Sequence, residues 1–368
     1  MDRFDCARQD CDVWQRRGIA VLARHSWLLL CLLALLVSAC GSMDSTSQSP
    51  TTTAAPRVNG FGTAANHVHA MLALPDHTLV LATHYGLFRS IDDGKQWSGP
   101  DKTLNDMMTS SLSSSLLNRQ RIYVLAEHSL STQSGGVGLY VSSDAGVSWK
   151  MASSVTETGK MYTIAAGNRS ANEVYAYVPT RGANGLLVSQ DGGQHFSSPG
   201  SLPFGRILGI LPLPARPGQL LVFSNDGVAR STDAGAHWTV VNSFSSSVYN
   251  MTTGGPDSTI YASGDQGIFA SNDGGKSFKL VDKNVYYTGL AAVPGQPQMV
   301  YGKTGRLIYK SSDGGYSWKA LPQVAGNLEN LVPDPQSSTH LFLSLSYPSG
   351  VALFDQQSAA WSSLTPRP

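Results

Sequence analysis

An eight-residue phrase, Ser-x-Asp-x-Gly-x-x-(Trp/Phe), occurs six times in this chain, beginning at Ser90, Ser142, Ser189, Ser231, Ser271 and Ser311. Its acids, Asp92, Asp144, Asp191, Asp233, Asp273 and Asp313, lie 52, 47, 42, 40 and 40 residues apart. A period near 40 marks stacked repeats, each a unit that cannot bury its apolar face alone. Residues common to every unit therefore serve the scaffold. What is particular to this protein must lie in what differs between units.

Each unit reads as a small antiparallel sheet. In the fifth, the predicted strands are 249–253, 259–263, 268–271 and 277–281, separated by turns rich in Gly, Asp, Asn and Pro. The phrase falls on the third turn. Its second glycine (Gly94, Gly146, Gly193, Gly235, Gly275, Gly315) never varies, whereas the residue before it is Asp, Ala or Gly. That contrast predicts a positive φ at the second position, which glycine alone adopts without steric cost. The carboxylate and the Ser hydroxyl are expected to accept backbone N–H bonds of the turn. The closing aromatic (Trp97, Trp149, Phe196, Trp238, Phe278 or Trp318) is expected to pack over it. On this reading the six aspartates are structural, not catalytic.

These phrases resemble the Asp-box (BNR) repeats of sialidases, sortilin-type receptors and photosystem II assembly or stability factors, over about residues 66–364. The resemblance implies an all-β fold: a seven-bladed β-propeller of four-stranded antiparallel blades. It places the box turns between third and fourth strands on the outer edge, away from the binding face. Spacing and length are most similar to the assembly-factor group. Six blades end at intact boxes, and a seventh (326–364) keeps strands at 328–332, 340–345, 351–354 and 361–364. There Phe354, Gln356 and Ser358 stand in place of Ser, Asp and Gly, with Trp361 retained. Whether residues 57–63 add a closing strand is left open.

The first 39 residues read as a targeting segment. Arg3, Arg8, Arg16, Arg17 and Arg24 flank an apolar run at 27–37, shorter than the roughly 20 residues of a spanning helix. Val37-Ser38-Ala39-Cys40 looks like a bacterial lipobox, so Cys40 is the expected lipid attachment point. Residues 40–65 are then the lipidated Cys and a Ser/Thr/Pro-rich tether; residues 41–57 alone could reach roughly 55 Å. Residues 66–364 form the propeller and 365–368 a tail. The expected location is the outer face of the cell membrane, or the periplasm or outer membrane of a two-membrane bacterium. All four cysteines lie in the first 40 residues, so the domain is expected to hold together by packing, without disulfides. Removing the leader's five basic and four acidic residues from 26 and 25 leaves 21 of each. A neutral domain lacks the basic footprint of nucleic-acid binding.

Binding residues are sought where the innermost strands begin. Aligning units on the following turn gives His67, Lys160, Arg206, Val248, Tyr286 and Asn327 at one position, and His69, Tyr162, Leu208, Asn250, Thr288 and Glu329 two residues on. Blade two does not align. Of these, His67, His69, Lys160, Tyr162, Arg206, Tyr286 and Glu329 suit a polar, aromatic mouth, the usual place for ligand contacts. Two longer loops, 127–138 and 179–185, open on the same face. His67-x-His69 puts two rings on one side of a strand, but with no carboxylate or Cys evident nearby neither a metal nor a cofactor is expected.

The favoured function is non-catalytic binding or assembly, by a monomer, with a protein or glycan partner at the cell surface. A structural domain of an envelope complex is a further reading. The alternative is a carbohydrate-active hydrolase. Sialidase resemblance implies an arginine triad, an acid/base Asp, a Tyr–Glu pair and an Arg-Ile-Pro phrase; Arg206-Ile207-Leu208 is the nearest echo, in the wrong blade and without Pro. Ordinary glycosidase chemistry needs two facing carboxylates, for which only Asp106 and Glu329 are plausible.

Overall fold

The computed structural model describes residues 61–129, 135–283 and 285–365. The expected leader, Cys40 and most of the tether lie outside these residues, as does part of the 127–138 loop. Within them the chain is a seven-bladed β-propeller. Blade 1 comprises Val68–Ala73, Leu79–Thr83 and Gly86–Ser90. Blade 2 comprises Met107–Ser114, Ile122–His128, Gly138–Ser142 and Lys150–Ser154, and blade 3 Thr163–Ala166, Val174–Tyr177 and Leu186–Ser189. Blade 4 is Gly209–Pro212, Leu220–Ser224, Gly227–Ser231 and Thr239–Val240; blade 5 is Val248–Thr253, Ile260–Gly264, Gly267–Ser271 and Lys279–Asp282. Blade 6 is Gly289–Ala292, Val300–Thr304, Leu307–Ser311 and Lys319–Ala320; blade 7 is Asn327–Pro333, His340–Ser346, Gly350–Asp355 and Ala360–Ser363. Among the described residues helix is confined to Val155–Thr158 and a 3-10 segment, Pro179–Asn184.

In blades 1 and 3 the expected fourth strand shrinks to single antiparallel bridges, Arg89 with Ser98 and Val188 with Ser197. Pro100 and Pro199 follow those residues by two positions. Proline has no N–H to give the ladder, so pairing stops there.

Packing follows from the second strands. Leu79–Thr83, Ile122–His128 and Leu220–Ser224 are buried over consecutive residues, because a neighbouring blade covers each face. Alternation then divides the side chains between two interfaces. Val80 packs with Ile122 of blade 2, whereas Leu79 and Leu81 pack with Phe342 of blade 7. Tyr123 joins Val174 of blade 3, and Leu221 joins Ile260 of blade 5. Every inter-blade joint has such a cluster, so the core is a ring of seven slices. Truncating a Leu in such a slice costs about 2–5 kcal/mol.

The six box turns share one hydrogen-bond scheme. The Ser hydroxyl donates to its Asp at 2.7–2.8 Å and accepts from the second glycine's N–H at 2.8–3.0 Å. The same carboxylate accepts the N–H four residues on, at 2.9–3.1 Å. Desolvation pushes Asp233 and Asp273 up, but these bonds outweigh it and hold both at about 2.

The second glycine has the expected positive φ in all six turns, from 77° to 94°. Positive φ does not distinguish the two turn positions, for Ala234 (62°) and Ala145 (57°) adopt it as well as Gly235 (94°) and Gly146 (83°). Packing adds to the demand: a Cβ would lie 2.5–3.0 Å from a side chain of the adjoining blade at five of the six second positions, against 3.4 Å at Gly146. A Cβ on Gly193 would lie 2.5 Å from Leu139 of blade 2, and one on Gly275 2.8 Å from Leu221 of blade 4. Each box turn thus seats its blade against the preceding one.

Blade 1 meets blade 7 in the same manner, with Gly94 against Leu364 and the Trp97 indole N–H donating to the Leu364 carbonyl at 2.9 Å. The segment before blade 1 lies across this joint. Phe61 packs on Phe88 and Trp97, and the Gly62 N–H donates to Ser349 Oγ at 2.9 Å. Residues 61–63 form no strand and 57–60 lie outside the described residues; the packing of Phe61, the Trp97 and Gly62 hydrogen bonds and a His67–Ser346 bridge tie blade 1 to blade 7. In the decayed seventh box Gln356 reaches back to blade 6 instead. Its amide donates to Tyr301 Oη at 2.6 Å and to the Ser338 carbonyl at 2.9 Å, and it accepts from Lys310 Nζ at 2.5 Å.

Candidate functional site

The face where the first strands begin carries the variable residues. His67, Lys160, Arg206, Tyr286 and Asn327 occupy equivalent positions before or at the start of those strands. Each is followed by a buried apolar residue: Val68, Met161, Ile207, Tyr287 or Leu328. Two residues on, His69, Tyr162, Leu208, Thr288 and Glu329 return to the mouth. In blade 5 the register differs from expectation by one. Val248 is the buried residue there, pairing with Gly264 as Val68 pairs with Thr83, and both strands bulge at the next residue. Two residues, Gly254 and Gly255, separate blade 5's first strand from Pro256, where one separates that strand from Pro75, Pro214 and Pro294 in blades 1, 4 and 6, so alignment on the turn shifted the register by one. The mouth residue is therefore Tyr249, not Asn250. Blade 2 resisted alignment because two residues, Ser111 and Leu112, bulge opposite Val124.

The mouth residues meet across blade boundaries. The Arg206 guanidinium lies 5.5 Å from the centroid of the Tyr162 ring, a cation–π pair joining blades 4 and 3. Tyr249 and Tyr286 meet edge to face at 5.5 Å, and Tyr249 Oη donates to Asp265 at 2.6 Å. Lys160 Nζ donates to Glu127 at 2.7 Å, linking blades 3 and 2. Beside that pair lies a cleft of about 350 Å3 lined by Met108, Ser110, Glu127, Lys160, Tyr162 and Pro179 among others. Half of the Tyr162 ring is exposed. A larger cleft, about 490 Å3, lies at the outer edge between Arg89 and Val147. It opens where blade 1 lacks its fourth strand, and is a consequence of the shortened sheet.

The two carboxylates considered for hydrolysis are separated by a whole blade. Glu329 is on the first strand of blade 7, where it accepts from Ser346 Oγ at 2.7 Å. Asp106 precedes the first strand of blade 2 and accepts from Asn105 Nδ2 at 2.9 Å. Between them stands blade 1 with its histidines. Half-buried Lys303, donating to the Leu328 carbonyl at 3.0 Å, has its pKa lowered by desolvation, against which the charge of Glu329 works.

At this joint the expectation of a lone His67–His69 pair fails. A third ring, His84, comes from the turn between the second and third strands of blade 1, where the main-chain N–H of His84 donates to the His67 carbonyl at 3.0 Å. Ring centroids are 4.4 Å (His67–His69), 4.8 Å (His67–His84) and 5.7 Å (His69–His84) apart, and Tyr347 stacks on His67 at 4.7 Å. Burial, then the neighbouring rings, lowers the pKa of His69 to about 4. Burial and His84 lower that of His67 against the pull of Glu329, and burial lowers that of His84. Sequence inspection sought partners along the strand; this one lies across a hairpin, fifteen residues later.

No family model matches the chain, and no curated protein matches it. Solved propellers do share its fold. Against the Niastella koreensis GH74 enzyme the TM-score is 0.66 at 14% identity, covering 83% of this chain and 54% of that one. Against the Xanthomonas campestris GH74 xyloglucanase it is 0.64 at 17% identity, covering 83% and 55%. Against YCF48 bound to a D1 peptide it is 0.55 at 15% identity, covering 75% and 89%. The chain spans little more than half the length of the GH74 enzymes. At these identities the likeness shows the fold alone. That fold serves both hydrolases and YCF48.

Proposed function

We propose that this protein is a non-catalytic binding scaffold that takes a segment of a protein partner across the mouth of its propeller. The observation that carries the reading is the cleft beside Tyr162. It offers an exposed aromatic face, a cation above it and apolar flanks from Met108 and Pro179, but a single carboxylate, Glu127, already paired with Lys160. Aromatic and Arg side chains are the usual anchors of protein interfaces. Glycoside hydrolysis requires two carboxyl groups about 5–10 Å apart across the substrate. YCF48, similar in fold and in length covered, is solved with a peptide bound. In this proposal the lipid on Cys40 and the tether hold the propeller at an extracytoplasmic membrane surface, where a membrane-protein segment would be met.

Recovery of partners from detergent-solubilised membranes of the source cell tests the reading. Arg206→Ala and Tyr162→Ala are expected to reduce recovery by about tenfold each, the loss of a central anchor of about 1–2 kcal/mol. Unchanged recovery in both would reject the mouth as the site. GH74 likeness keeps hydrolysis as the second reading. Turnover of any member of a glycan panel, abolished by Glu329→Gln or Asp106→Asn with the fold intact, would establish it in place of the first.

A further inference from the structure

We infer that His67, His69 and His84 form a binding site for a divalent late-transition-metal cation, Zn2+ foremost, at the mouth of blade 1. One ring nitrogen from each lies within 4.8 Å of the others. Nδ1 of His67, Nε2 of His69 and Nδ1 of His84 are buried and have no hydrogen-bond partner among the described residues. A histidine kept for core structure normally has such nitrogens satisfied; three unsatisfied together describe a donor set. Imidazole nitrogens suit Zn2+, Cu2+ and Ni2+, whereas Ca2+ and Mg2+ require oxygen ligands.

The separation exceeds the roughly 3.3 Å between nitrogens around a tetrahedral ion with bonds of about 2.0–2.1 Å. Closing it requires His67 and His84, now stacked at an interplanar angle of 30°, to turn edge-on toward a common point. The His84 N–H bond to the His67 carbonyl already fixes the two backbones together. Three imidazoles leave a fourth position for water or a donor from a bound molecule. The charged groups facing the cluster are Glu329, whose charge acts on His67, and Lys303, coupled in turn to Glu329. The carboxylate favours an added cation.

The test uses the full chain with Cys6→Ser, Cys11→Ser, Cys31→Ser and Cys40→Ser, so that no thiolate competes. After stripping with EDTA it is titrated with Zn2+ by calorimetry and with Co2+ by visible absorption at about pH 7.5, where imidazole is neutral. One equivalent of each is expected, with Co2+ d–d bands of a four- or five-coordinate nitrogen site. His84→Ala and His69→Ala are each expected to weaken Zn2+ binding at least about tenfold. His195→Ala and His237→Ala, at exposed box turns, are expected to leave it unchanged. Should the mouth variants fail to fold, the parent decides. Zn2+ is expected to protect His67, His69 and His84 from diethylpyrocarbonate, mapped by mass spectrometry, and His195 and His237 to react as before. No saturable binding, undiminished binding in folded His84→Ala, or absent protection would each overturn the site.

Discussion

Histidine occurs at both the box turns and the mouth, and its treatment there is opposite. At the box turns His195 and His237 are almost fully exposed, yet Nδ1 of each ring meets the box carboxylate at 2.6 Å. At the mouth three histidines are half-buried, and a ring nitrogen of each has no partner among the described residues. The box turn completes its own hydrogen bonding and asks nothing of a ligand. The mouth pays a desolvation penalty that the chain alone does not offset. Residues that repeat are satisfied within their unit, and unsatisfied polarity gathers where units differ.

The largest effect that would break this contrast comes from the box. Gly193→Ala would place a Cβ 2.5 Å from Leu139 at a φ of 93°. Combined overpacking and left-handed strain are expected to cost about 2–4 kcal/mol, read as a lower urea midpoint. Partner recovery by the folded fraction is expected to remain. A midpoint within error of the parent would show that the turn does not wedge adjacent blades together.

Titration sharpens the same contrast in two separate windows. Histidine in an unfolded chain has a pKa near 6.5, and that of His69 is about 4 in the fold. Protons then bind the unfolded state more readily as pH falls from about 6.5 to about 4, so stability declines over that span and levels below it. The expected loss is at most about 2 kcal/mol, once the partial exposure of the ring is discounted. His69→Leu should flatten this window. The box aspartates have pKa values depressed from about 3.9 in the unfolded chain to about 2 for Asp233 and Asp273. Their contribution is present above about pH 4 and is lost as pH falls through 2. Asp273→Asn should reduce this lower loss and leave the upper one. Urea midpoints measured across pH would separate the two, and a single transition common to both variants would erase the distinction.

Sequence reasoning reached the fold because the box carries its own explanation. Ser271, Asp273 and Gly275 are spaced to bond one another, and spacing is visible in a sequence. Strand ends in blade 5 fell within one or two residues of their expected positions for the same reason. What lay hidden depends on neighbours. The tightest of the box glycines, Gly193 and Gly275, abut a leucine on the preceding blade, and the missing fourth strands of blades 1 and 3 come from Pro100 and Pro199. The mouth was placed by position alone, and Tyr162 and Arg206, named on that ground, lie 5.5 Å apart, guanidinium to ring centroid. Their pairing, Tyr249 and His84 could not be seen, because a one-residue change in a hairpin and a contact across a turn leave no periodic trace.

The smallest expected effect tests whether the box works as a set or residue by residue. Gln356 stands where the seventh blade should carry its aspartate, so Gln356→Asp restores part of the repeat. If the acid were stabilising by itself, the variant would gain stability. The structure gives the opposite expectation. The Gln356 amide donates to Tyr301 Oη and the Ser338 carbonyl, and no carboxylate can replace those donors. With Phe354 in place of the box serine, the new acid would also lack the hydroxyl that donates in every intact copy. A loss of about 1 kcal/mol in urea unfolding is expected, the scale of a partly buried hydrogen bond. A gain instead would mean that an isolated aspartate can bind the turn, and that the intact boxes owe less to their serine and glycine than their geometry implies.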